Sequence, residues 1–286
     1  MTATALTPSA SNLEGDADDP LGTRLAAARR IAEGAGRTAL AFFAARGTLT
    51  IERKSAVQDL VSQADREVED EIRAAIRNEF PNDALLGEEH GLSEGSSPYT
   101  WIIDPIDGTS PFLVGQPNWC VSIAVSDGTR PVCGVVHAPV LGETYVARTG
   151  RGAFLNGERL MMDGGWTLTS ANIAFGGTNK ADPAASGAFV AGLYRDGGVI
   201  FRIGSGALML CYVAAGRLAG YYDPAINIWD CAAGIVIVEQ AGGVTEFTGG
   251  FSASGPLWSG NAGVVGHLKR LSEGTEAVPP VNRPEL

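Results

Sequence analysis

Residues 101–112 read WIIDPIDGTSPF, an apolar run that breaks into two aspartates, a proline and a glycine. Aspartate is a poor strand former and is costly to bury without a partner. Asp104 and Asp107 therefore need something at the end of this run that offsets two negative charges. Three further acidic features sit on or beside apolar segments. Asp65 lies on the apolar face of a helix that the spacing predicts over 58–79, Glu88 and Glu89 follow the short run ALLG, and Asp230 opens the apolar stretch WDCAAGIVIVEQAGG.

Taken singly, each feature has a structural account. Asp230 suits a helix N-terminus, with Asn227 as its cap. Asp107 can start a turn with Gly108. Glu88 and Glu89 can be solvated loop charges, and Asp65 can pair with an arginine. Taken together, they suggest carboxylates converging on one cleft. Only oxygen donors are on offer, so a bound ion would be hard: Mg²⁺, Mn²⁺ or Ca²⁺. The Asp104-Pro105-Ile106-Asp107 segment would let two carboxylates serve different ions from one rigid turn, since Pro105 restricts the backbone. The GTSPF that follows reads as a helix start. Gly108 permits close approach, Pro111 suits a first turn, and free N–H groups at such a start bind phosphate. Cations beside an anion-binding helix end imply phosphoryl chemistry. Two other motifs do not fit. An EF-hand loop needs D-x-[DN]-x-[DN]-G, which DPIDG does not supply. Haloacid-dehalogenase-type phosphatases carry two aspartates separated by one residue, whereas two intervene here.

The elements that must position these groups follow from periodicity. An Ala-rich helix is expected over 21–46, a strand at TLTIER, and the helix over 58–79 with Val61, Ala64, Val68, Ile72, Ala75 and Ile76 on one face. DALLG and YTWIID read as short strands, and 118–126, 132–138 and 143–149 as three more, separated by DGTRP and PVLGE. Beyond residue 165 strands (172–175, 199–202, 218–223, 244–247) alternate with helices (183–195, 205–215, 228–241), which argues α/β layers. The chain thus reads as an α+β half over about 21–160 and an α/β half over about 165–271. A disordered tail is expected at 1–20 and a loose one at 272–286.

The 286 residues are 45% hydrophobic and carry a formal net charge of −11, so nucleic acid is not the expected partner. No apolar run is long enough for a membrane span, and no signal peptide is seen. Cys120, Cys133, Cys211 and Cys231 are widely spaced in apolar stretches and read as reduced buried thiols of a cytoplasmic protein. His90, His137 and His267 are too scattered for a histidine-rich zinc site.

GEEHG, WIIDPIDGTSPF and WDCAAGIVIVEQAGG resemble the three signatures of the inositol monophosphatase family of metal-dependent, lithium-sensitive phosphatases, and DLVSQAD resembles its upstream aspartate motif. The resemblance covers about 21–271. It implies a layered α/β/α/β/α sugar-phosphatase fold, a homodimer, two or three Mg²⁺ ions for which Mn²⁺ or Ca²⁺ can substitute, and a small phosphorylated substrate. By motif, Glu88, Asp104 and the Ile106 carbonyl would ligate a first ion, and Asp104, Asp107 and Asp230 a second. Asp65 would hydrogen-bond Thr109, Gly108 and Thr109 would offer N–H groups to the phosphate, Asp223 would contact substrate hydroxyls, and Glu89 would serve a third ion or stand just outside the ligands.

The expected reaction is phosphomonoester hydrolysis by a metal-activated water without a phospho-enzyme, with Glu88 and the Thr109–Asp65 pair taking up the proton. Two positions depart from the family pattern: Ser110-Pro111 replaces the frequent Thr-Asn, and Asn227 stands where some inositol phosphatases carry histidine. GSGAL, 204–208, reads equally as a flexible turn or as a helix start facing the cleft. Histidinol phosphate, fructose 1,6-bisphosphate and 3′-phosphoadenosine 5′-phosphate are alternative substrates. The lining near 176–182 and 202–227, with Lys180, Arg195, Arg202 and Arg217 as its basic groups, would decide between them. A non-catalytic binding or regulatory protein is the reading from another class. Trp101, Trp119 and Trp229 read as core packing, Arg29 and Arg30 as a solvated helix face, and 118–126 and 132–138 as either internal sheet or dimer surface.

Overall fold

The computed structural model describes residues 19–45, 51–53, 60–177, 181–251 and 253–274. The expected tails lie outside these residues except at their inner ends. There Asp19 is held by Arg148, whose Nη1 and Nη2 donate to it at 2.5 and 2.7 Å, and Asp19 Oδ1 accepts from Gly22 N at 3.2 Å. These contacts satisfy the start of α1 (Pro20–Ala45).

Strands β3 (Ala84–Gly87), β4 (Gly91–Ser93), β5 (Thr100–Asp107), β6 (Cys120–Ser126), β7 (Pro131–Ala138), β8 (Glu143–Arg148), β9 (Gly152–Leu155) and β10 (Glu158–Arg159) form one sheet in the order β10-β9-β8-β7-β6-β5-β3-β4. All pairs are antiparallel except β3 with β5. Strands β6 and β7 lie inside this sheet and are buried along most of their length, which is why they read as continuous apolar runs. They are internal sheet, not a dimer surface.

One face of the sheet is covered by α1 and α2 (Gln63–Glu79), the other by α5 (Gly206–Ala214) and α6 (Ile228–Gln240). These two helices also pack on a five-stranded sheet of β11 (Ile173–Phe175), β12 (Ile200–Phe201), β13 (Gly220–Ile226), β14 (Val244–Phe247) and β15 (Gly255–Gly260), ordered β12-β11-β13-β15-β14. Helix α7 (Ala262–Ser272) packs against that second sheet, and α4 (Pro183–Arg195) packs on α7. The layers therefore run α/β/α/β/α, and three apolar clusters fill the gaps between them. Trp101 and Trp119 are core residues, Trp229 packs at the edge of the central cluster, and Arg29 and Arg30 are exposed on α1.

The structure corrects several expected boundaries. The helix expected over 58–79 begins at Gln63. Leu60–Ser62 instead form β2, which pairs antiparallel with β1 (Ile51–Arg53), and residues 58 and 59 lie outside the described residues. Helical periodicity could not reveal that this backbone finds a strand partner. Of TLTIER, 51–53 are strand and 48–50 are not described. The reading passed over β4, β9, β10, β15 and α7. Strands β4, β9 and β10 close local hairpins and are too short to show a period, and β15 is glycine-bounded and set by its pairing with β13 and β14.

Candidate metal centre

Parallel pairing of β3 with β5 sets Gly87 opposite Ile103, so Glu88 emerges beside Asp104, and Glu88 N donates to Ile103 O at 3.3 Å. In a regular strand two residues three apart face opposite sides. Strand β5 avoids this with a bulge between Asp104 and Asp107. Pro105 has no N–H for the ladder, and Ile106 N turns to Asp104 Oδ1 at 3.1 Å. Both aspartates thereby face the layer that holds α5 and α6. From α6, Asp230 completes the group, its Oδ2 accepting from Asn227 N at 3.2 Å and from Asn227 Nδ2 at 3.0 Å. One oxygen each of Glu88, Asp104 and Asp230 lies within 4.8 Å of the others.

Three carboxylates at this spacing repel. Burial, and then the charges of Glu88, Asp107 and Asp230, push the Asp104 carboxyl well above its ordinary range. Burial also raises Asp230, against the hydrogen bonds it receives from Asp104 and Asn227. The strongest influences on Asp104 are thus desolvation and other acids, an arrangement that a divalent cation relieves. The donors are all oxygens, so the group fits Mg²⁺, Mn²⁺ or Ca²⁺.

Asp107 stands beside this trio rather than within it. Its Oδ2 accepts from Ser205 Oγ at 2.5 Å and Ala207 N at 2.7 Å, and its Oδ1 from Gly206 N at 3.2 Å. Burial and the Asp230 charge nevertheless raise it to about 7. Residues 204–208 are accordingly a helix start: Ser205 caps α5 by accepting from Leu208 N at 3.3 Å, and the first amides of the helix turn to the cluster through Asp107. Oδ1 keeps acceptor capacity for a cation.

Gly108 is the left-handed N-cap of α3 (Thr109–Leu113), with φ 100°. A Cβ there would sit 2.8 Å from Asn118 O, so the turn requires glycine. Thr109 Oγ1 lies 3.3 Å from Asp65 Oδ1 and 3.2 Å from Ile106 O, so a carboxylate and a carbonyl compete for its single hydrogen. Pro111, where the sequence departs from the family pattern, is buried against two site glycines: an added Cβ at Gly108 or at Gly204 would each lie 3.2 Å from its ring. Phe112, Trp119 and Phe43 pack behind it in tilted and edge-to-face contacts.

Asp223 sits in a second bulge, between β13 and β15, again followed by a proline. Its Oδ2 accepts from Tyr221 OH at 2.8 Å and its Oδ1 from Ala225 N at 2.9 Å. Gly176 faces it with no room for a side chain, and Arg202 Nη2 donates to Gly177 O at 2.8 Å. Arg217 is instead paired with Glu143, and Lys180 lies outside the described residues.

Glu89 is half-buried on the same turn as Glu88. The sequence reading missed Glu69, which accepts from Glu89 N, its partner Arg73, and Tyr221, which donates to Asp223. For Glu69 and Arg73 a signal was present: both fall on the buried stripe of α2 beside Val68 and Ile72.

The model of the inositol monophosphatase family matches residues 22–278. The chain is 41% identical over 209 residues to the Nus factor SuhB of Haemophilus influenzae, covering 72% of this chain and 77% of that protein. It is 39% identical over 200 residues to the fructose-1,6-bisphosphatase/inositol-1-monophosphatase of Thermotoga maritima, covering 70% and 76%. The crystal structure of extragenic suppressor protein suhB from Bartonella henselae superimposes with a TM-score of 0.82 at 31% identity, covering 89% of this chain and 100% of that one.

Proposed function

The chain belongs to the inositol monophosphatase family, and from that premise we propose that it is a Mg²⁺-dependent phosphomonoesterase acting on a small phosphorylated alcohol. The observation that carries the proposal is the meeting of Glu88, Asp104 and Asp230 oxygens within 4.8 Å, supplied by the turn after β3, the bulge of β5 and the first turn of α6. An apolar scaffold has no structural need for a buried Asp104 with the half-buried acids Glu88 and Asp230 set against it.

In this reading Glu88, Asp104, Asp107, Asp230 and the Ile106 carbonyl hold the ions, and Glu89 lies at the margin. Bound Mg²⁺ would supply Lewis-acid activation of water and neutralise charge on the phosphate and the leaving oxygen. Glu88 and the Thr109–Asp65 pair accept the proton released by water. The Gly108 and Thr109 amides orient the phosphate, and stabilising its growing charge is the largest contribution expected of such donors. Asp223, pinned by Tyr221 and Ala225 N, accepts hydrogen bonds from substrate hydroxyls. Four free buried thiols suit a reducing, cytoplasmic setting, and a homodimer is part of the proposal.

Inositol 1-phosphate, histidinol phosphate, fructose 1,6-bisphosphate and 3′-phosphoadenosine 5′-phosphate form the test panel for Mg²⁺-dependent phosphate release. Turnover of at least one is expected, and none with any of them overturns the proposal. A second reading comes from the relatives called Nus factor SuhB: a role like theirs, exercised by binding. The buried acidic set weighs against binding as the sole activity, and the same assay separates the two.

A further inference from the structure

Helix α2 contributes more to this site than Asp65. One turn further along the same face, Glu69 is 0% exposed and Arg73 4% exposed, with Arg73 Nε donating to Glu69 Oε1 at 2.6 Å. A buried ion pair is weak evidence of stabilisation, because desolvating both charges offsets most of their attraction. The remaining hydrogen bonds of this pair go to one short hairpin. Glu69 Oε2 accepts from Glu89 N at 2.8 Å, and Oε1 from His90 N at 3.3 Å. Arg73 donates from Nη2 to Gly91 O at 2.5 Å and from Nη1 to Ser93 Oγ at 3.1 Å. The contact is tight enough that a Cβ on Gly87 would fall 2.1 Å from Glu69 Oε1.

Glu88 immediately precedes these anchors. Its own N–H is tied to Ile103 O, the residue before Asp104, and the next N–H along the chain is tied to Glu69. Strand β4 lies at the open edge of the sheet, where two exposed contacts, Arg77 Nη2 to Ser93 Oγ at 3.2 Å and His90 Nε2 to Asp70 Oδ1 at 3.1 Å, add to the buried pair. We propose that the buried Glu69–Arg73 pair is a positioning device for the metal centre, fixing the 87–93 hairpin so that the Glu88 carboxylate is held at the cation before the cation arrives. Glu69 touches neither ion nor substrate and acts through the loop. The inference rests on the reading of Glu88 as a metal ligand.

The test uses the full chain, with Mn²⁺ alone as the probe, titrated by calorimetry or by the loss of free-ion electron spin resonance. Glu69→Gln keeps size and removes charge. It is expected to weaken Mn²⁺ binding at least about tenfold, the range typical when groups that orient a metal ligand are removed. It should raise the Mg²⁺ needed for half-maximal phosphate release in parallel, while kcat at saturating Mg²⁺ stays within about threefold. Glu143→Gln is the control, since it neutralises an ion pair on β8 that is remote from the hairpin. It should lower thermal stability and leave Mn²⁺ affinity unchanged. Should Glu69→Gln not fold, Arg73→Lys keeps the charge but loses the forked contact with Gly91 and Ser93, and a weakening of Mn²⁺ in the same direction is expected. Wild-type affinity in the folded variant, or an equal loss in Glu143→Gln, overturns the inference. A wild-type protein that binds no Mn²⁺ overturns the metal reading itself, so the two failures are distinguishable.

Discussion

At the scale of single residues, charge is the clearest message. Asp104 touches every other member of the acidic set electrostatically, so it is where one substitution should cost most. Asp104→Asn is expected to lower turnover about a thousandfold, equivalent to roughly 4 kcal/mol of transition-state stabilisation. Comparison of kcat for the two proteins at saturating Mg²⁺ checks this, and near-normal activity would remove Asp104 from the proposed ligands. Gly176 makes a separate prediction about specificity. A methyl group there would fall 1.8 Å from Asp223 Oδ2, so Gly176→Ala must push the carboxylate off its Tyr221 and Ala225 anchors. For a polyol phosphate, kcat/KM should fall at least tenfold, on the order of one lost hydrogen bond to a charged group. An aryl phosphate with no hydroxyl for Asp223 to read should be spared, and an equal loss on both substrates would argue against Asp223 as a hydroxyl contact. Glu88, Asp104, Asp107 and Asp230 were legible in the sequence because acids beside apolar runs are conspicuous. Glu69 carried a weaker signal, its place on the apolar stripe of α2, because an acid four residues before an arginine on a helix also describes an ordinary surface pair.

Elements bring those residues together, and the decisive ones are the irregular ones. Regular β5 would have split Asp104 from Asp107, and regular β13 would have run past Asp223, yet each strand bulges at an Asp-Pro step. Prolines in apolar strands were visible in the sequence; that they would mark bulges facing one cleft depended on partners far along the chain. Helix α6 is the other positioning element, and it reaches β7 only because residue 134 is glycine. A Cβ there would lie 2.4 Å from Ala233 O and 2.9 Å from Ala233 Cα, both backbone atoms that no rotamer change can clear. Gly134→Ala is therefore expected to destabilise the fold by about 1–3 kcal/mol. Because α6 carries Asp230, it should also raise the Mg²⁺ needed for half-maximal activity. Gly266→Ala supplies the contrast: it is helical, meets nothing within 4 Å, and should stabilise by roughly 0.5–1 kcal/mol. Denaturant midpoints of both variants test the pair, and a neutral Gly134→Ala would mean that the helix shifts without cost.

Across the whole molecule the centre joins layers, since β3 and β5 belong to the first sheet, α6 lies between the sheets, and Asp107 holds the start of α5. A cation bound there should stabilise the entire fold, and the pH dependence of that effect follows from the shifted carboxyls. Asp107 is raised from 3.8 to about 7, and Asp104 and Asp230 are raised as well, with burial the largest cause for all three. Between these limits the folded, metal-free protein binds more protons than the unfolded chain. Its stability is full below about pH 4 as far as these groups are concerned, and is lost as pH climbs through 7. Asp83 works the other way. Its burial is outweighed by hydrogen bonds from Arg24, Ser97 and Trp101, so its stabilisation is present above 3.8 and is lost on acidification. Metal-free protein should thus be most stable near pH 4, where the two effects cross, and raising the pH to 8 should lower Tm. Mg²⁺ competes with the same protons, so it should bind best where they have left. At about 100 times its dissociation constant it adds roughly 2.7 kcal/mol, or about 5–10 °C in Tm. Differential scanning fluorimetry with chelator and with Mg²⁺ at pH 5.5 and 8 reads both effects. A Mg²⁺ shift that is larger at pH 5.5 than at pH 8 would mean that the buried carboxyls are not where the ion binds.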